Sequence, residues 1–352
     1  MKKKNTLLLC SLLLIFLMQQ VAGQDSGSSG RKTIVYSFII NRVPDGFNIP
    51  LIGFLNFADG SHSSAHIGFL NWNRRNLNGV QLSFVNSAGG NVKGNQTGFI
   101  NAAGGSFSGA QVGFVNATGG NFNGALAGFV NAVGGSTKGL QMGFVNASGG
   151  KTNGAQLAFV NVNGNSLKGL QAGFVNIART FRGLQLGFVN LTDSIENGFP
   201  IGFLSFVGKG GYKALELSAN ELYPFNLAFK TGVKGLYTSL IASWNPMSEE
   251  YYALGMGLGS MIPFSRIVYL NPEVTALGTY PGRSELYSLS LQLGFALSNR
   301  IHFALGPSVT WLNYNQVGEN YDPVFNFYEY SINERNKLIS GARLALRYNL
   351  SK

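Results

Sequence analysis

Hydrophobic positions along this chain follow two rules. From Leu51 to about residue 207 a block of fifteen residues recurs, pairing an apolar extended stretch with a polar, glycine-rich one. The stretch from Gly139 to Asn153, Gly-Leu-Gln-Met-Gly-Phe-Val-Asn-Ala-Ser-Gly-Gly-Lys-Thr-Asn, is a typical unit. Beyond Gly211 the pattern becomes strict alternation: Tyr287, Leu289, Leu291, Leu293, Phe295 and Leu297 against Ser288, Ser290, Gln292, Gly294 and Ala296. Alternation of period two predicts strands with one apolar and one polar face.

A fifteen-residue unit is too short for a helical repeat, and glycine at this density breaks helices. Phe recurs in eleven units from Phe54 to Phe203, with Asn two positions later from Asn56 to Asn190. Such columns predict ladders. If each unit is one coil of a parallel β-solenoid, Phe stacks on Phe and Asn amides bond along the axis at a spacing of about 4.8 Å. Proline is absent from Leu51 to Phe199, as a continuous backbone ladder requires. One coil, Gly173 to Gly187, is a residue short, and the loss falls in the turn around Ala178 to Arg182. A competing arrangement makes each unit one strand of a large antiparallel membrane barrel. Identical motifs would not then align on neighbouring strands, and turns on opposite membrane faces would not all be alike. Phe is expected to form the core column, and the aliphatic residue after it either turns inward at a corner or forms an exposed apolar stripe.

In the C-terminal part, strands are expected near 213–222, 225–232, 234–245, 251–263, 266–280 and 287–297. Two more follow, with Ile301, Phe303, Leu305, Val309 and Trp311 outward on one and Leu338, Ala342, Leu344, Leu346, Tyr348 and Leu350 outward on the other. About eight strands with apolar residues outward predict a small antiparallel membrane β-barrel whose interior is filled by side chains. Glu216, Glu273, Lys230, Arg343 and Arg347 fall on its inner face, while Trp244, Tyr251, Tyr252, Tyr280 and Trp311 suit an interfacial girdle. The fold class is therefore all-β, an N-terminal 15-residue-repeat solenoid followed by this barrel. The domains are a signal peptide (1–23), a lead-in strand or cap (24–50), the solenoid (51–207) and the outer-membrane barrel (212–352).

The signal peptide rests on Lys2, Lys3 and Lys4, the apolar run from Leu7 to Met18 and the small residues before Gln24, and it implies export to a Gram-negative envelope. Cys10, the only cysteine, lies inside it, so the mature chain relies on packing and backbone pairing. Without its three lysines the chain keeps 23 basic against 15 acidic residues. That balance suits anionic lipid or glycan, and it lacks the dense basic patch that nucleic acid demands.

The unit Gly-Leu-Gln-x-Gly-Phe-Val-Asn, complete at Gly139 to Asn146, Gly169 to Asn176 and Gly183 to Asn190, resembles the surface-repeat proteins of Gram-negative bacteria, which carry Gly-Leu-Gln-x-Gly-Leu-Val-Asn units. The resemblance covers residues 50–206, departs in its Phe column and in Ala110, Ala125 and Ala155, and implies an envelope location without supplying catalytic residues. The barrel half resembles outer-membrane barrels only generically.

Candidate chemistry is sparse. His62, His66 and His302 are too scattered for a zinc or catalytic site. No Asp follows the Gly-Gly pairs at the spacing of calcium-binding repeats, and Gly255, Gly257 and Gly259 alternate within a strand rather than forming a phosphate loop. No cofactor or metal is implied. One column, Lys93, Lys138, Lys168 and Arg182, lies before the glycine that opens each unit and would line an edge of the solenoid. It is either a solvated edge that discourages lateral association or a groove for an anionic glycan or lipid headgroup. The leading expectation is a non-enzymatic outer-membrane structural or interaction protein, set in outer-membrane lipid and presenting its solenoid to an envelope partner or anionic glycan. The alternatives are a transport channel, with repeats and C-terminal strands in one large barrel, and a lipid-acting enzyme using His302 with Ser290 or Ser308.

Overall fold

The computed structural model describes residues 34–247, 252–280, 284–315 and 323–351. The signal peptide, Cys10, the start of the lead-in segment and Tyr251 lie outside them. The described residues are all-β, with no helix, and form two separate sheets: a parallel solenoid sheet and a closed antiparallel barrel. Repeats and barrel strands therefore do not join one large ring. By internal contacts the chain divides into two compact units between Leu186 and Gly187, so the last repeats group with the barrel.

In the first unit each coil pairs in parallel with the coil fifteen residues away, as in Val115↔Val130 and Asn116↔Asn131. A coil has a six-residue strand such as Phe107–Val112, a bend at Gly113-Phe114, a four-residue strand Val115–Thr118, and a Gly-Gly turn. Alternation sends Phe107 and Gln111 inward on the first strand and Asn116 and Thr118 inward on the second. At the bend Gly113 takes the inward place, where a Cβ would lie 2.0 Å from the Gly98 carbonyl and 2.6 Å from the Asn101 amide nitrogen.

That packing puts Phe114 outside. The Phe column is on the surface, 44–54 % exposed from Phe54 to Phe188 and half-buried at Phe203, so the expectation of a Phe-lined core is wrong. Asn and Gln line the core instead, at no more than 1 % exposure from Asn41 to Asn190 and from Gln81 to Gln185. A buried amide is tolerable only when its donors and acceptors are met. Here each Asn from Asn41 to Asn161 donates to the next Asn, at 2.8 Å from Asn101 to Asn116 and again from Asn116 to Asn131, Asn190 donates to Ser205 at 3.1 Å, and the amides also reach backbone carbonyls, as Asn116 does Ala127 at 2.9 Å. The Gln column donates in the opposite sense, toward the N-terminus, with Gln96 to Gln81 and Gln111 to Gln96 both at 2.7 Å. At the short coil Gln185 still reaches Gln171 at 2.7 Å, so the missing residue is absorbed outside the ladder.

At the N-terminal end Ile40–Val43 pairs with Leu55–Ala58, and Val35 bridges Arg42 antiparallel. Val43, Leu51 and Ala58, with Phe47 and Ile49 against them, form a small apolar cap.

Eight strands close the barrel: β1 (Tyr212–Ala219), β2 (Phe225–Val233), β3 (Leu236–Trp244), β4 (Tyr252–Gly259), β5 (Val268–Tyr280), β6 (Glu285–Ala296), β7 (Ile301–Asn313) and β8 (Asn336–Asn349). Neighbours pair antiparallel, and β8 returns to β1 with Glu216 opposite Arg347. Tyr328–Asn333 adds to β8 beyond the end of β1. The start of β1 and the end of β8 share a rim, as an even strand number requires. The turns on that rim include the two-residue link between β2 and β3, whereas the 22-residue connection from β7 to β8 is on the other rim.

Candidate interaction surfaces and the filled barrel

The barrel is apolar outside and polar within. Leu254, Leu289, Leu227 and Leu346 are 68, 58, 52 and 50 % exposed on four different strands, while Glu216, Lys230, Glu273 and Arg347 are buried. A row of aromatics crosses one rim, since Phe225 pairs with Trp244, Trp244 with Tyr252, and Tyr252 with Tyr280. Tyr287 and Trp311, also expected at the girdle or outer face, pack together at 5.7 Å.

The interior has two layers. Near the rim that carries both barrel ends, Glu216 accepts from Arg343 at 2.7 Å and from Arg347, and Lys230 lies 3.1 Å from it. Lys230 also binds Glu273, which accepts from Tyr237 at 3.0 Å and Ser239 at 3.0 Å. The five charges picked out by alternation thus form one network, as buried charges must if they are to remain charged. Toward the other rim Leu222, Tyr223, Leu277, Leu286, Leu312 and Ile339 pack into an apolar plug.

The turn after β1 feeds that plug. Its Glu221 is fully buried and accepts from the hydroxyls of Ser308 and Thr310. It needs the space left by Gly341, where a Cβ would come 2.5 Å from the Glu221 Cβ. Sequence reasoning missed Glu221 because the strand expected over 213–222 stops at Ala219, and alternation from the inward Glu216 would have turned residue 221 outward. Ser308 is engaged with it, Ser290 lies opposite Ser308 and accepts from Gln292, and His302, six residues from Ser308 along β7, binds Asn349 at 2.9 Å, so neither serine considered for lipid chemistry pairs with His302.

On the solenoid, Lys93, Lys138 and Lys168 occupy one exposed register column, with Ser108, Asn123 and Asn153 between them, and Arg182 follows on the short coil. The structure aligns them without clustering them: three coil steps separate Lys93 from Lys138. The Phe column is a second surface. From Phe54 to Phe174 successive rings stack 4.8–5.3 Å apart with interplanar angles of 0–7°.

His62 and His66 meet under the N-terminal cap, His66 Nε2 lying 2.8 Å from His62 Nδ1. Burial pushes the His66 imidazole down to about 3, and the neighbouring His62 adds to the effect. Burial also lowers His62, opposed by the carbonyls of Ile49 and Phe47. Nitrogens 2.8 Å apart are hydrogen-bonded rather than spaced for a shared metal, and among the described residues no group of three or more His, Cys, Asp or Glu could hold one.

No family model, curated protein or solved structure matches this chain.

Proposed function

We propose that the chain is a non-enzymatic protein of a Gram-negative outer membrane, anchored in lipid by its barrel and presenting the solenoid as an interaction surface. The observation that carries this reading is the inverted barrel. Leucines cover the outside of a closed sheet whose interior holds a network of five charged side chains and the buried Glu221, an arrangement that water disfavours and a bilayer favours. The aromatic row at the rim fits a lipid interface. The charged layer and the apolar plug fill the lumen, which favours an anchor over a transport path. The resemblance of the repeats to bacterial surface repeats agrees with an envelope location.

Tryptophan fluorescence tests the anchoring. The chain has three tryptophans, Trp72 in the repeats and Trp244 and Trp311 on the barrel. In single-tryptophan variants refolded into vesicles containing brominated acyl chains, Trp244 and Trp311 should be quenched. A barrel left unquenched and soluble without lipid would overturn the reading. Planar bilayers should show no steady conductance, and a stable channel would restore the transport alternative.

A further inference from the structure

Lipid accounts for the barrel wall, but not for the exposed face of the repeats in the first unit. Around the Phe ladder that face carries no charge. The position before each Phe is Gly, Ser or Ala, the position after it is Leu, Val or Ile, and the position two before it holds Ile52, Ile67, Leu82, Thr97, Val112, Ala127, Met142, Leu157 and Ala172. Several of that column, among them Ile52, Ile67 and Val112, are more than two-fifths exposed. The basic column lies six residues before each Phe, at the opposite end of the strands that carry this flanking column, as Lys93 does from Thr97 across the positive-φ Gly94.

We infer that this face is the contact between two copies of the chain, pairing ladder to ladder. Three observations select a second copy. The first is area: rings of about 200 Å² each, nearly half exposed, offer about 800 Å² from Phe54 to Phe174, which is what one partner contributes to a standard stable interface. The second is pitch. A ladder of rings near 4.9 Å apart is corrugated at a spacing that an unrelated surface lacks and an identical ladder reproduces, so one set of ring edges can settle over the grooves of the other, as paired ladders do in dry β-sheet interfaces. The third is charge. Two copies carry the same basic column, so a contact centred on the rings, at the far end of these strands from that column, keeps the like charges apart. A two-fold axis makes such a contact self-complementary and closed. The inference rests on reading the solenoid as an interaction surface, and its test does not depend on where in the cell the protein sits.

The test is disulfide trapping of the full chain in phosphatidylethanolamine and phosphatidylglycerol vesicles, in a Cys10→Ser background that leaves no other thiol. Val112→Cys places a thiol beside the ladder without touching a ring, and Lys93→Cys places one on the basic column. Mild oxidation should convert most of the Val112→Cys protein to a covalent dimer and leave Lys93→Cys at least tenfold less cross-linked. Adding Thr97→Lys and Ala127→Lys, both outside the core, should reduce the Val112→Cys dimer at least tenfold while the circular dichroism spectrum stays unchanged. Equal trapping at both positions, or none at Val112, would overturn the inference. So would quenching by brominated lipid of a fluorophore at Val112→Cys, which would make the bilayer the occupant. If instead the dimer forms while Trp244 and Trp311 stay unquenched, the pairing stands and the membrane reading fails.

Discussion

Gln141 sits directly over Leu126 in the parallel register, and its Nε2 is the one buried glutamine nitrogen of the described column without a hydrogen-bond partner. Gln111 and Gln156 each reach a glutamine oxygen one coil toward the N-terminus, at 2.7 Å. Leu126 interrupts that chain and instead joins Phe107, Phe122 and Val133 in the apolar cluster of the middle coils. Leu126→Gln would supply the missing acceptor and donate to Gln111. The gain of about 1–3 kcal/mol for satisfying a buried donor roughly offsets the similar loss of a buried leucine side chain. Stability should therefore change by less than about 1.5 kcal/mol, whereas Leu126→Ala should lose about 2–5 kcal/mol. Denaturant unfolding compares the two, and a Gln variant as unstable as the Ala variant would show that the ladder cannot close there.

Gly124 has φ +140°, and a Cβ on it would stand 1.9 Å from the Gly109 carbonyl. Gly124→Ala is expected to cost upwards of about 3 kcal/mol, since strain and a backbone clash add. Ala125→Leu should be close to neutral, because the same column already holds Leu140 and Leu170. Paired thermal melts would expose the contrast, and equal melting points would contradict the stacking described.

The His62–His66 pair makes the N-terminal cap acid-sensitive. The folded state holds both imidazoles below their usual value, so the unfolded chain binds protons more readily, and the stabilisation present above about pH 6.5 is lost as pH falls toward the folded value of about 3 for His66. For His66 alone the loss should reach about 3 kcal/mol by pH 4. Hydrogen exchange in Ile40–Ala58 should accelerate over that interval, and His66→Gln, which continues the Gln column by facing Gln81, should flatten the response. Exchange in this segment that ignores pH would refute the assignment.

Within the barrel, Glu216→Gln leaves Glu273 to pair with Lys230 and Arg343 and leaves Arg347 with only neutral partners, among them Asn271 and Gln292. Breaking a buried ion network from one side costs about 3–5 kcal/mol. Urea unfolding in vesicles should report a loss of that size, and a silent variant would mean that water reaches the layer.

The basic column supports a narrower expectation. Replacing Lys93, Lys138, Lys168 and Arg182 together with Gln should abolish binding to anionic envelope polymers while the fold persists, as a pull-down on immobilised lipopolysaccharide would register. Undiminished retention would reduce the column to a solvated edge.

Much of this architecture is legible in the sequence because periodicity is a direct record of strand geometry. Fifteen-residue columns imply stacked coils, and alternation around Leu289 and Leu346 implies a two-sided wall. The inward direction within a coil was harder to read. Phe is the more apolar residue, yet the bend at glycine changes the alternation and turns Phe114 out while Asn116 points in. The signal for that reversal was the Asn column, unbroken from Asn56 to Asn190, and the Gln column, broken only by Leu126 between Gln81 and Gln185, polar residues that hold such columns only when each bonds to its own image. Glu221 was hidden because the alternation read over 213–222 runs past the true strand end at Ala219, and the His62–His66 contact depends on an irregular cap where no period exists to reveal it.

The coil that lacks one residue has a consequence for how such arrays change. Gln171 and Gln185 keep their bond across fourteen residues, so the backbone tolerates loss in a turn while the amide chain continues. Each coil is a template for the next, and whole units can be duplicated or deleted by recombination between near-identical segments without a new packing solution. Every such event changes the reach of the array by about 4.8 Å. Length is then an adjustable trait of this protein, heritable in steps of one coil.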